Sequence, residues 1–141
     1  MKAVAGLIVL GIVVALAIGS CSDSNRADAT VYGFLEDLRA GHDGQRYWLV
    51  PSLSNKLLNV SETEFVNAQG WERKTDGKVA GRFVRYRVTS TNQAGSPVKL
   101  LWDFCTVLTK SDEYKIVDMS QADDAHVESC KRNVATFMPT P

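Results

Sequence analysis

The hydrophobic pattern of this chain divides it into an apolar leader, a helical stretch and an alternating stretch. From Ala3 to Ile18 no charged or strongly polar side chain occurs, and Gly19-Ser20-Cys21 follows. Further along, Val31, Phe34, Leu35 and Leu38 fall at i, i+3, i+4 and i+7, which predicts an amphipathic helix over roughly 28–40, with Asp28 as a cap before it and Gly41 after it. Short helical pieces are expected next. Gln45–Leu49 follows Asp43 and must stop near Pro51, Leu53–Leu58 follows Ser52, and Ser61-Glu62-Thr63-Glu64 fits a capping box leading to Phe65 and Val66.

From about residue 78 the period changes to two. Ala80, Val84, Tyr86 and Val88 alternate with polar positions; Val98, Leu100, Trp102, Phe104 and Leu108 form a second run, and Tyr114, Ile116 and Asp118 against Lys115, Val117 and Met119 a third. Asn92–Gly95 and Lys110–Glu113 are short enough for hairpins. A weaker strand at Trp71–Lys74 would be turned by Asp76-Gly77, a strong hairpin dipeptide. Helices followed by an antiparallel meander of three to four strands define an α+β domain, residues 28–120, with the first helix covering the sheet. That cover should lie across strand 98–109 with Trp102 near its centre. Residues 22–27 then read as a polar tether and 121–141 as a C-terminal tail.

The leader changes the picture of location. A cationic start (Lys2), an uncharged apolar run and small residues at its end are the parts of a secretory signal, residues 1–20. The run is about 16 residues, short of the roughly 20 that a spanning helix needs. Ile18-Gly19-Ser20-Cys21 resembles the lipobox of bacterial lipoproteins, which implies that Cys21 becomes the lipid-bearing first residue of the mature chain and is the contact with the membrane. An uncleaved anchor with a chance cysteine is the alternative, and in either case the remainder faces the outside of the cytoplasmic membrane. Ser22 after the Cys lacks the Asp that retains lipoproteins at the inner membrane, so outer-membrane sorting is the default in a diderm cell.

Val31-Tyr32-Gly33-Phe34-Leu35-Glu36-Asp37-Leu38-Arg39-Ala40-Gly41-His42, followed by small helices and a meander ending in Tyr114-Lys115-Ile116-Val117, resembles the nuclear transport factor two-like superfamily. More narrowly, it is similar to small bacterial lipoproteins built on that cone-shaped, cystatin-like fold. The resemblance implies a pocket inside the cone, for which Trp48, Trp71, Tyr86 and Trp102 are the candidate lining residues, although aromatics at such positions more often form core. Enzymes of the superfamily place an Asp or a His–Asp pair in the cone. Here the chain offers His42, Asp43, Asp103, Asp118 and Tyr86, with Asp43 more simply a cap and Asp103 out of step with Trp102 and Phe104.

Cys105 and Cys130 remain once Cys21 is assigned, and an even remainder in an exported chain points to a disulfide. It would staple the tail to the sheet, closing a loop of about 25 residues and contributing about 3 kcal/mol. The rival, metal binding by these thiols, has no Cys-x-x-Cys or His spacing behind it. Sixteen Lys+Arg balance sixteen Asp+Glu, and loss of Lys2 with the leader leaves 15 against 16, which argues against nucleic acid as a partner. Arg82, Arg85 and Arg87 are expected on a solvated face with cross-strand partners, Arg82 opposite the other two. No phosphate loop, nucleophile elbow or zinc-protease motif occurs, and neither a catalytic residue nor a metal or cofactor is assigned. The expectation is a lipid-anchored envelope protein whose non-enzymatic domain binds an envelope protein or a small apolar ligand; a hydrolase or isomerase acting in the cone is the alternative.

Overall fold

The computed structural model describes residues 22–50, 57 and 59–137. An N-terminal helix α1 (Ser22–Arg39) and a single 3-10 turn (Gln45–Tyr47) precede four strands, β1 (Glu62–Glu72), β2 (Val79–Thr91), β3 (Pro97–Leu108) and β4 (Tyr114–Gln121), and a C-terminal helix α2 (Ala125–Phe137) follows. The strands form one antiparallel sheet in the order β1-β2-β3-β4. This is the α+β architecture that the switch from helical to alternating period requires.

The expected stripe of α1 is buried against the expected face of the sheet. Val31, Phe34, Leu35 and Leu38 share one core with Val84, Tyr86, Val88, Trp102, Phe104, Ile116 and Met119. Phe34 meets Phe104 edge-on with ring centroids 6.1 Å apart, and Tyr86 meets Phe104 in the same way at 6.4 Å. The strand outruns its cover, however. Trp102 and Phe104 are 5% and 1% exposed, whereas Leu100, two residues towards the β2–β3 turn, is 37% exposed.

Three expectations give way to the structure. Residues 22–27 are no tether but the first turns of α1. Their polar composition hides this, because they are held by distant contacts: Ala27 packs with Val79, Leu108 and Tyr114, and Arg26 reaches the carbonyl of Asp112. Asp28 accordingly lies inside the helix, bonding Arg82 Nε at 2.7 Å instead of capping. The segment from Glu62 is a strand, not a capped helix, and β1 begins well before Trp71. Thr63 and Phe65 turn to the α1 face opposite Val88 and Tyr86 while Glu62 and Glu64 stand on the other, so pairing with β2 overrides the local capping pattern. The Asp76-Gly77 hairpin stands as expected, with Arg73 N–H bonded to Lys78 O at 2.7 Å. The tail, finally, is largely the helix α2. Leu53–Leu58, apart from Leu57, lies outside the described residues, as do 1–21 and 138–141.

Helix α2 covers the opposite face of the sheet, where Ala80, Phe83, Cys105 and Val107 meet Cys130 and Val134, with Trp71 packed beside them. Its seat depends on Gly81, since a Cβ there would lie 2.3 Å from Val134 Cγ2 and 2.5 Å from the Thr106 carbonyl oxygen. Ala80 is the extra residue of a bulge between Val79 and Gly81, which brings the small residue under the helix.

Two substitutions test this two-faced packing. Trp102→Ala is expected to cost about 3–5 kcal/mol, read from denaturant midpoints. Gly81→Ala is expected to lower the melting temperature by displacing α2, while Gly95→Ala, in the open β2–β3 turn where nothing lies within 4 Å of a Cβ, should cost only the strain of its positive φ.

Candidate functional site

Charged groups converge where α2 meets the sheet. Arg85 on β2 and Asp103 on β3 are direct cross-strand partners on the α2 face. The guanidinium engages the carboxylate with both prongs, Nε to Oδ1 at 2.6 Å and Nη2 to Oδ2 at 3.0 Å. Asp103 Oδ2 also accepts the Asp123 backbone N–H at 3.0 Å and a hydrogen bond from His126 Nδ1 at 2.9 Å. Asp103 is only 3% exposed. Burial is the largest influence on it and pushes its pKa up; the hydrogen bonds from Arg85, the Asp123 amide and His126 together outweigh that and hold it below the ordinary carboxylate value.

An ionised carboxylate only accepts, so Nδ1 of His126 donates to Asp103 and leaves the other ring nitrogen, Nε2, for a second partner. Ser120 Oγ lies 3.3 Å from it. Ser120, His126 and Asp103 therefore stand in the order hydroxyl, imidazole, carboxylate.

Next to this network is the disulfide between Cys105 and Cys130, Cα atoms 5.4 Å apart, as expected from the cysteine count. The two attachments match in spacing. His126 and Cys130 are four residues apart on a helix, about 6 Å along one face, and Asp103 and Cys105 are two apart on a strand, about 6.6 Å along one face. Helix and strand thus meet at two points in register. Asp123 completes the junction by accepting the Ala125 N–H at 2.8 Å on its side chain, capping α2.

Of the four residues proposed to line a cone, three are gathered in one core and the fourth is not. Trp48, Tyr86 and Trp102 are packed into the α1-side core at 7, 6 and 5% exposure, and Trp71 lies on the other face of the sheet. The reason is that one apolar face of a four-stranded sheet needs all three rings to fill the space under α1. Burial raises the Tyr86 hydroxyl to about 12. Asp43 accepts the Gln45 N–H at 3.1 Å just before the 3-10 turn, whose N-cap position is Gly44, and His42 and Asp118 are exposed. The arginines meet their expectation only in part: Arg87 pairs with its cross-strand partner Glu64 at 3.0 Å, but Arg82 pairs with Asp28 on α1 and not across the sheet, and Arg85, though its partner Asp103 is cross-strand, is largely buried at the α2 junction and not on a solvated face. Cys21 lies outside the described residues. Sequence reasoning missed the Arg85–Asp103–His126 cluster, although the four-residue offset of His126 from Cys130 was its available signal.

Among the described residues no group of three or more His, Cys, Asp or Glu is placed to hold a metal, and no helix is long and apolar enough to cross a membrane. An open cleft of about 470 Å³ beside α1 is lined by Arg26, Thr30, Arg46, Tyr47, Tyr114 and Lys115. Comparison with protein-family models, with curated proteins and with solved structures finds no match.

The junction makes stability depend on acid. Because the folded-state pKa of Asp103 is depressed, its contribution is fully present above the unfolded carboxylate value near 3.9 and is lost as pH falls through the lowered folded value. Asp103→Asn should therefore be less stable than the native chain at neutral pH, by roughly 3 kcal/mol because Arg85 loses its partner. The gap should close on acidification, as measured by denaturant unfolding between pH 7 and 2. Cys130→Ser should cost about 3 kcal/mol at all these pH values.

Proposed function

We propose that this chain is a lipid-anchored envelope lipoprotein, held at the outer face of a bacterial membrane through Cys21, whose domain is a non-enzymatic interaction module. The Cys105–Cys130 disulfide carries the reading. Such a bond persists in oxidising compartments, and it agrees with the export pattern of residues 1–20 read from sequence. Packing of a long helix across a meander supports kinship with the cone-shaped lipoprotein domains, with α2 as a second cover on the outer face of the sheet. The close packing of Trp48, Tyr86 and Trp102 under α1 favours a partner bound at the surface, an envelope protein or another envelope component, over a small apolar ligand held inside. The charged and aromatic cleft beside α1, lined by Glu113 as well as Arg26, Arg46 and Lys115, is a surface where such a partner can dock.

The second reading is a hydrolase, favoured by the order of Ser120, His126 and Asp103. In it the Ser120 proton would pass to His126 Nε2 as Oγ bonds an acyl carbon, and the leaving group would take that proton. It places the chemistry at the α2 junction and not in the cone.

Growth with a clickable palmitate analogue is expected to label the chain and to leave Cys21→Ser unlabelled and released from the membrane fraction; a Cys21→Ser chain labelled like the native one would refute the anchor. Exposure to a fluorophosphonate probe is expected to leave the chain unmodified. Labelling that disappears in Ser120→Ala would instead establish the hydrolase.

A further inference from the structure

The helix α1 begins at Ser22, one residue after Cys21, and its first turns are fixed to the fold. Adjacent Cα atoms are about 3.8 Å apart, so a lipid on Cys21 can have no slack between it and the domain. We infer that the domain rests directly on the bilayer in one orientation, with the end that carries the β1–β2 and β3–β4 turns against anionic lipid headgroups. This rests on the proposal that Cys21 is lipidated.

The contacts of α1 define which end that is. Arg26 binds the carbonyl of Asp112, Lys78 binds the Asp112 carboxylate at 3.3 Å, and Thr30 Oγ1 binds Tyr114 O at 3.3 Å, so the start of the helix sits between the two turns. The β2–β3 turn at Asn92–Ser96 lies at the far end of the meander.

The near end has the chemistry of a membrane-contacting surface. Lys74 and Lys110, one on each turn, are exposed and make no salt bridge with any described residue, whereas their basic neighbours Arg26, Arg73, Lys78 and Lys115 are all paired. Phe137, the last described residue of α2, is 46% exposed. It borders an apolar cleft of about 200 Å³ whose other walls include Leu49, Val107 and Leu108, with Arg73 and Lys110 at its edge. Unpaired lysines beside an aromatic ring and an apolar cleft suit the boundary between headgroups and acyl chains, where cations meet phosphate and the ring meets hydrocarbon.

The test uses the full processed chain, reconstituted by its own lipid into vesicles of phosphatidylethanolamine and phosphatidylglycerol, with lysine acylation read by mass spectrometry. Against the same protein in detergent, Lys74 and Lys110 are expected to be protected several-fold on vesicles, while Lys99, at the start of β3 at the far end, keeps its reactivity. Vesicles without phosphatidylglycerol should show weaker protection, and Lys74→Gln with Lys110→Gln should lower the protection of Lys78 on anionic vesicles. A Gly-Ser spacer of twelve residues inserted between Cys21 and Ser22 should reduce the protection while leaving the anchor. Fatty-acid labelling separates the two readings. A chain that takes no lipid overturns the anchor and the orientation together; a lipidated chain in which Lys74 and Lys110 react on vesicles as in detergent overturns the orientation alone.

Discussion

The carboxylate of Asp103 is the constraint around which the second half of the molecule is arranged. A charge this deeply buried is tolerated only when its oxygens are fully engaged, and here they draw in a guanidinium from β2, a backbone amide from the loop after β4 and an imidazole from α2. These partners come from three separate segments. Satisfying one carboxylate therefore fixes where the chain must turn after Gln121 and how α2 must enter. An apolar residue at position 103 would pack without specifying that direction. The disulfide then holds the helix one turn further on, and Gly81 gives it room to lie close.

The α1 side follows a different rule. There the core is apolar and the helix position is set by area: its stripe of Val31, Phe34, Leu35 and Leu38 meets the sheet where the large even-numbered side chains of β2 and β3 project. Such packing is readable from periodicity, because alternation fixes the face and a slip of one residue would turn every ring to the other side. This is why the faces of β3 and of β2 from Arg82 on, the hairpins and the helix from 28 to 39 are legible in the sequence, together with the cysteine pairing. The bulge, by contrast, turns Ala80 to the face opposite the one its spacing from Val84 implied.

What was not legible depends on partners remote in the chain. The first turn and a half of α1 has no stripe of its own; Ala27 is buried only because Val79, Leu108 and Tyr114 arrive beside it. In β1 the short-range signal, Ser61 with Glu64, favours a helix start, and most of the strand is exposed, so the alternation that betrays a half-buried strand is weak. In α2 the apolar stripe is reduced to Val127, Cys130 and Val134 among charged residues, and the helix is stable because a covalent bond and an ion network replace the missing area. The rings of Trp48, Tyr86 and Trp102 take the core role that such aromatics more often have. Aromatic composition says that large side chains must be enclosed, and only the extent of the helix above them decides whether a cavity remains.

The cluster of Ser120, His126 and Asp103 shows why the order of side chains is insufficient to name a chemistry. In an acyl-transfer triad the carboxylate stabilises the imidazolium that forms when the hydroxyl gives up its proton. At this junction Arg85 is closer to the carboxylate than the imidazole is, 2.6 Å against 2.9 Å, and holds both of its oxygens. The charge of Asp103 is thus shared between a guanidinium and an imidazole, with Asp123 and Asp124 also acting on the guanidinium. The Nδ1–H of His126 completes the shell of the carboxylate, and its Nε2 lies 3.3 Å from Ser120 Oγ. Arg85, Asp103, Asp123 and His126, drawn from two strands, a loop and a helix, together hold α2 in place, a role that the order of the side chains alone does not reveal.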